Sequence, residues 1–276
     1  MKLLNIMILS LFMVSNSSAA PNYSDIFANV EPCFTLYDLN QGKTIESFNK
    51  DRCNERISPC STFKIPLSLM GFDSGIFKSE DSPKWDFKPE YNAVIEIHAK
   101  DHTPKTWMAN SVVWYSQLLT QKLGIDKFTN YVAKLSYGNQ DLSGNKGKND
   151  GLTRSWLGSS LKISANEQIE FLRNLKTNNL PVSKAAIKHT ENILFVEDLP
   201  DGWKLYGKTG SASDTNADGS KNDDIQIGWF IGFLEKSGQT YIFAINIHDK
   251  QKFTEYAGRR AKAMAKEIFA SLDVLK

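Results

Sequence analysis

The chain has 276 residues, 41% of them hydrophobic and 23% charged, with a formal net charge of +2 at pH 7. That length suits one large domain or two lobes around a shared sheet, and the composition is that of an ordinary globular protein. There is no basic tract and no basic–aromatic array, so nucleic acid is not an expected partner.

The first twenty residues, "MKLLNIMILSLFMVSNSSAA", differ from the rest. Lys2 gives a positive start, Leu3 to Val14 an apolar centre and Ser18-Ala19-Ala20 a small-residue cleavage site. The pattern predicts a secretory signal over 1–20, cut after Ala20, followed by one catalytic domain over 21–276. As a membrane span the segment is too short and is interrupted by Asn5 and Ser10. No later stretch is long and apolar enough to cross a bilayer, so the expectation is an exported, periplasmic protein without a stable membrane anchor.

"CFTLYDLNQGKTIESFN" reads as a hairpin turning at Asn40 to Lys43. Cys33, Cys53 and Cys60 cluster around it, and an oxidising compartment allows one disulfide and one free thiol. The hairpin folds the chain back between Cys33 and Cys53, which favours that pair and leaves Cys60 as a buried thiol. The spacing has no zinc-site character.

The segment "SPCSTFKIPLSL" follows as an expected helix. Ser61 and Lys64, three residues apart, then share one face. Ile65, Pro66, Leu67, Leu69 and Met70 send this segment to a core, where a lysine must find a partner, lose its proton or be chemically changed. Trp107 to Leu123 reads as a second apolar helix carrying Ser111-Val112-Val113, and Asp126 to Leu135 as a third. "YGNQDLSGNKGKNDGLTRSW" is a long Gly/Asn/Asp-rich loop. Ser164 and Glu167 form a capping box for a helix through Lys176, and Ser183 to Phe195 is helical again.

The pattern then changes to strands: "WKLYGKTGS", "IQIGWFIGFLE" and "TYIFAINIH". The last two are apolar on both faces, as in a central sheet covered on each side. A closing helix, Glu255 to Leu272, places Tyr256, Met264, Ile268 and Leu272 on one stripe.

Several nucleophile schemes do not apply. There is no G-x-S-x-G elbow, and His98, His102, His189 and His248 stand in no triad context. His98 and His102 are four apart but lack the Glu of a zincin, so the segment is expected to be exposed and polar, with no metal site. What remains is S-x-x-K at Ser61 and Lys64, the triplet starting at Ser111, "YGN" at Tyr137 to Asn139 and "KTG" at Lys208 to Gly210. Each is weak alone; their order and spacing together are specific. With "SWLGSSLKIS" and "GWFIGF", the set resembles the class D serine β-lactamases, within the penicillin-recognising serine enzymes, over nearly the whole mature chain. Two features stand apart from the family pattern: Cys60 directly precedes the serine, and the last helix offers Arg259 and Arg260 where one arginine is expected.

The resemblance implies an α/β chain of the α+β type, an antiparallel sheet flanked by helices plus a mostly helical lobe, with the site between them. It implies hydrolysis of β-lactam antibiotics through an acyl-serine on Ser61, with N-carboxylated Lys64 as general base. The neutral form favoured by burial is the one that adds carbon dioxide. No other cofactor is expected beyond carbon dioxide or bicarbonate. Phe63, Val113 and Leu157 match the apolar cage of the carbamate, and the Trp156 indole its donor.

Ser111 matches the hydroxyl that relays a proton to the lactam nitrogen, and Lys208 the strand lysine that organises it. Thr209 matches a carboxylate-binding hydroxyl, and Gly210 lets substrate lie along the strand. The backbone N–H groups of Ser61 and Ser211 match the oxyanion hole. Arg260, rather than Arg259, is expected at the substrate carboxylate. Tyr137 and Asn139 are expected to shape the loop edge. The rival readings are a β-lactam-binding sensor domain and a penicillin-binding transpeptidase or carboxypeptidase, which acylate without efficient turnover.

Overall fold

The computed structural model describes residues 20–93, 95–215, 220–272 and 275, so the expected signal segment lies outside the described residues save for Ala20. In chain order, a short helix α1 (Tyr23–Ile26) leads into the hairpin β1 (Val30–Asp38) and β2 (Lys43–Phe48). Then come α2 (Lys64–Asp73), α3 (Pro104–Asn110), α4 (Val113–Leu123), α5 (Ile125–Lys134), α6 (Gly151–Arg154), α7 (Ala165–Lys176) and α8 (Lys184–Ile193). Strands β3 (Phe195–Asp198), β4 (Lys204–Thr215), β5 (Lys221–Lys236) and β6 (Gln239–Asp249) follow, and α9 (Ala257–Ser271) closes the chain.

The strands form one six-stranded sheet in the order β2-β1-β6-β5-β4-β3, with every adjacent pair antiparallel. The two ends of the chain therefore meet in its middle, where β1 pairs with β6 from Val30↔Asp249 to Asp38↔Tyr241. Side chains alternate across a strand. On β5, Trp229, Ile231 and Phe233 join the core shared with the helical lobe, while Phe230 and Leu234 join a second core under α9. Both faces of β5 are thus covered, which is why its sequence is apolar without alternation.

The sequence expectations hold for the hairpin, for α5 and for α7, whose Ser164–Glu167 capping box is formed. The disulfide joins Cys33 to Cys53, and Cys60 is a buried free thiol.

Four expectations change. The Trp107–Leu123 helix is broken: α3 ends at Asn110, Ser111 adopts a left-handed conformation (φ 61°, ψ 34°), and α4 begins at Val113. Continuous hydrophobicity concealed this break, since both halves bury apolar residues. The helix expected through Phe195 stops at Ile193, because Phe195 starts edge strand β3 against Tyr206. Helix α9 turns Ala257, Gly258, Ala261, Ala265 and Ile268 to the sheet, and Tyr256 is exposed at its N-cap. Met264, Ile268 and Leu272 of the expected stripe do pack into the core under α9, and only Tyr256 departs from it; the small residues let the helix sit close. Finally, the segment of His98 and His102 is not simply exposed: His102 is buried and His98 is partly so.

Candidate active site

The turn before α2 is tightly wound. Cys60 has a left-handed backbone (φ 52°), an uncommon conformation for a residue with a Cβ. The Thr62 amide and hydroxyl both donate to the Pro59 carbonyl, at 3.1 and 2.7 Å. Cys60–Phe63 is therefore a 3-10 turn, and α2 starts only at Lys64. In such a turn residues i and i+3 eclipse one another, so Ser61 and Lys64 are brought closer in line than an α-helix would place them. Ser61 is partly exposed, whereas Lys64 is wholly buried.

Burial of Lys64 has an electrostatic consequence. Its Nζ has no hydrogen-bond partner among the described residues and lies 6.0 Å from the centre of the Trp107 ring. Desolvation, followed by the charge of Lys208, lowers its pKa well below that of an ordinary lysine. Lys208 is itself buried, which brings its pKa down to about 7. Its Nζ donates to the carbonyl of Thr209 at 3.0 Å.

Trp156 is the second buried group without a partner. Its ring stacks on Phe63 with centroids 5.4 Å apart, while its indole Nε1 has no acceptor among the described residues. Ser58, which the sequence did not single out, places this tryptophan. Its hydroxyl donates to the Trp156 carbonyl and accepts from the Gly158 amide, each at 2.9 Å. Its carbonyl accepts from the Trp229 indole on β5 at 2.9 Å. One small buried residue thus ties the 155–158 segment and the sheet to the nucleophile turn. Hydroxyl-to-backbone bonds across about a hundred residues leave no local sequence signal.

Strand β4 passes directly behind Ser61. A Cβ at Gly210 would lie 3.0 Å from the Pro59 carbonyl and 3.2 Å from the Ser61 amide, so any larger residue would make the turn or the strand give by a few tenths of an ångström. At the start of α9 the Gly258 amide donates to Ser211 Oγ at 2.9 Å, which anchors the helix to β4.

These elements enclose a cavity of about 320 Å³ lined by Ser61, Ser111, Val113, Thr209, Gly210, Ser211 and Arg259, together with Ile95, His98, Asn110 and Tyr256. Leu157 lies in an adjoining cavity of about 570 Å³ that shares Val113 and His98. The structure thus gathers Ser61, Ser111, Val113, Thr209, Gly210 and Ser211 around one space, with Lys64, Phe63 and Trp156 buried, while Lys208 lines a separate cavity that shares Thr209 and Arg259.

One expected residue does not join them. Arg260 is buried away from the cavity, where it pairs with Asp249 at 2.6 Å and stacks over Phe253. Arg259 lines the cavity instead, 5.8 Å from the Tyr256 ring. Helical rotation between adjacent residues, about 100°, turns one arginine to the cavity and the other to the core. Tyr137 and Asn139 make structural contacts: Tyr137 meets the Phe63 ring edge at 5.2 Å, and Asn139 brackets the segment after Leu157 through Ser160 and Lys162. Among the described residues no cluster of His, Cys, Asp or Glu has metal-binding geometry.

Comparison with known proteins places this arrangement. Residues 11–270 match the family model described as the penicillin binding protein transpeptidase domain. The chain is 46% identical over 242 residues to β-lactamase OXA-1 of Escherichia coli, covering 86% of this chain and 84% of that protein. It is 43% identical over 244 residues to β-lactamase OXA-9 of Klebsiella pneumoniae, covering 88% and 87%. Among solved structures, the OXA-427 class D β-lactamase superposes with a TM-score of 0.79 at 43% identity, over 87% of this chain and 96% of that one.

Proposed function

The chain belongs to the class D serine β-lactamases, and on that premise we propose how its own residues hydrolyse β-lactam antibiotics and so confer resistance. Ser61 is the nucleophile. Its oxygen attacks the lactam carbonyl, its proton passes toward Lys64, and the backbone N–H groups of Ser61 and Ser211 receive the developing oxyanion. As the C–N bond breaks, Ser111 delivers a proton to the departing nitrogen. Lys208 orients Ser111, and its pKa near 7 lets it release or hold a proton at neutral pH. Water then attacks the Ser61 ester and frees the enzyme.

The residues suit a carboxylated Lys64. The observation that carries this reading is the pair of wholly buried, unpartnered nitrogens, Lys64 Nζ and Trp156 Nε1, beside a serine with no histidine base. An amine held neutral adds carbon dioxide and releases one proton, and the resulting carbamate supplies an anionic oxygen base. The Trp156 indole donates to that anion, while Phe63, Val113 and Leu157 keep bulk water from it. Thr209 and Arg259 hold the substrate carboxylate, because Arg259 faces the cavity and Arg260 does not.

The protein acts after export to the periplasm. Support comes from the signal pattern over 1–20 and from the Cys33–Cys53 disulfide, which suits an oxidising compartment. Among the described residues no helix is long and apolar enough to cross a membrane.

The test combines steady-state turnover of a chromogenic cephalosporin with intact-protein mass spectrometry under a slowly released β-lactam. Many turnovers per enzyme and a single adduct on the Ser61 peptide are expected. A reaction that stops after one equivalent would indicate a sensor, and an unaffected rate in Ser61→Ala would remove the nucleophile assignment.

A further inference from the structure

His98 lines the Ser61 cavity, on the 3-10 turn Glu96–His98, and has no role in the chemistry above. Its Nε2 is 2.8 Å from the carbonyl oxygen of Asn110. A backbone carbonyl only accepts, so Nε2 carries the hydrogen and donates it. Asn110 is the last residue of α3, and helix ends leave their final carbonyls without an intrahelical partner. The next residue is Ser111, held left-handed at φ 61° with its amide bonded back to the Trp107 carbonyl.

The bond is also reciprocated. The Trp114 indole, on the first turn of α4, donates to the His98 carbonyl at 2.8 Å. The turn bearing His98 is therefore clamped to both sides of the α3–α4 break, once through its side chain and once through its backbone. Without the side-chain bond, the Asn110–Ser111 peptide is held only through its Ser111 amide, at the Trp107 carbonyl, and its plane is freer to tilt. Ser111 Oγ then swings with that plane.

We propose that His98 is a positioning residue for Ser111: its Nε2–H fixes the Asn110–Ser111 peptide and thereby the direction in which Ser111 presents its hydroxyl to the Ser61 cavity. This rests on the proton-relay reading of Ser111 given above. The His98 ring bonds to the Asn110 carbonyl and not to Ser61 or Lys64, so its effect on proton transfer is assigned through Ser111.

Two substitutions of similar polarity separate positioning from mere filling of space. The amide nitrogen of Gln reaches the place of Nε2, whereas that of Asn reaches only the place of Nδ1. His98→Asn is expected to lower kcat about 10- to 100-fold, the scale of a misplacement near 1 Å, with KM little changed. His98→Gln is expected to recover most of that loss. Ser111→Ala and the double variant His98→Asn/Ser111→Ala should be equally slow, because a group that acts through Ser111 has nothing to act on once its hydroxyl is gone.

Thermal melts identify any variant that does not fold. If His98→Asn fails to fold, His98→Phe, which keeps a ring but has neither nitrogen, takes its place with the same expected loss. The inference is overturned if His98→Asn matches wild type, if Gln is as slow as Asn, or if the losses multiply in the double variant. Full activity in Ser111→Ala would instead overturn the relay reading, and this inference with it.

Discussion

Replacing Trp156 by Phe removes one N–H and leaves the aromatic ring over Phe63, 5.4 Å away, largely in place. If that N–H holds a carbamate on Lys64, the variant loses a hydrogen bond to a charged acceptor, worth about 1.5–3 kcal/mol. At roughly 1.4 kcal/mol per factor of ten, the bicarbonate needed for half-maximal activity rises about 10- to 150-fold. The fold should respond differently. The smaller ring leaves a void costing about 1 kcal/mol, but the variant also deletes a buried donor whose lack of a partner costs about 1–3 kcal/mol. The two oppose, so stability in carbon dioxide-free buffer should stay within about 2 kcal/mol of wild type.

The assay is a bicarbonate titration of deacylation, read beside carbon-13 NMR of enzyme supplied with labelled bicarbonate. Acyl-enzyme should accumulate in Trp156→Phe at low bicarbonate and clear when bicarbonate is raised. An unchanged half-maximal bicarbonate concentration would refute the donor role. A carbamate signal absent from active wild type, or unchanged in Lys64→Ala, would refute the base itself.

Arg259→Ala should lower kcat/KM, mainly through KM, with little effect on folding. Arg260→Ala should instead destabilise the protein by about 3–5 kcal/mol, because Asp249 is left buried and unpaired; paired kinetics and urea unfolding separate the two. Gly210→Ala crowds the Ser61 turn, since its Cβ would sit 3.0–3.2 Å from Pro59, Cys60 and Ser61 atoms; kcat should fall about tenfold, as for other small misplacements, and an unaffected rate would show that the strand yields freely. For pH, Lys208 titrates near 7 folded and near ~10.4 unfolded, so the unfolded chain binds the extra proton across that window. Stability in carbon dioxide-free buffer should therefore rise with pH from 7 to 9, by up to about 1.4 kcal/mol per unit for each such lysine. Lys208→Met should flatten that slope, as should Lys64→Met. Activity should fall as pH drops toward 6, because acid promotes loss of the carbamate, and added bicarbonate should restore part of it.

How much of this was legible beforehand differs from residue to residue. Ser61 and Lys64 stood out because three residues of separation and an apolar continuation are both local properties. The capping box of α7 and the Cys33–Cys53 pairing were equally readable, the first from a side chain and amide three positions apart, the second from a hairpin closing on itself. The two-sided hydrophobicity of β5 and β6 announced a covered central sheet. Residue order and spacing also brought Ser111 and the Lys208–Gly210 strand into one reading.

Other features depended on contacts far apart in the chain. At the break, Ser111 is left-handed and the Asn110 carbonyl bonds to His98, twelve residues earlier; hydrophobic periodicity runs straight through it. Ser58 acts on Trp156, Gly158 and Trp229, which lie about 100 to 170 residues away. Arg259 and Arg260 are chemically identical neighbours. Only the docking of α9, set by Gly258 against Ser211 and by Asp249 beneath the helix, turns one to the substrate cavity and the other to the core. Sequence determined which groups are present and their local geometry; tertiary packing decided which of them face the same water-poor space, because burial and orientation are properties of neighbours that the chain brings together only when it folds.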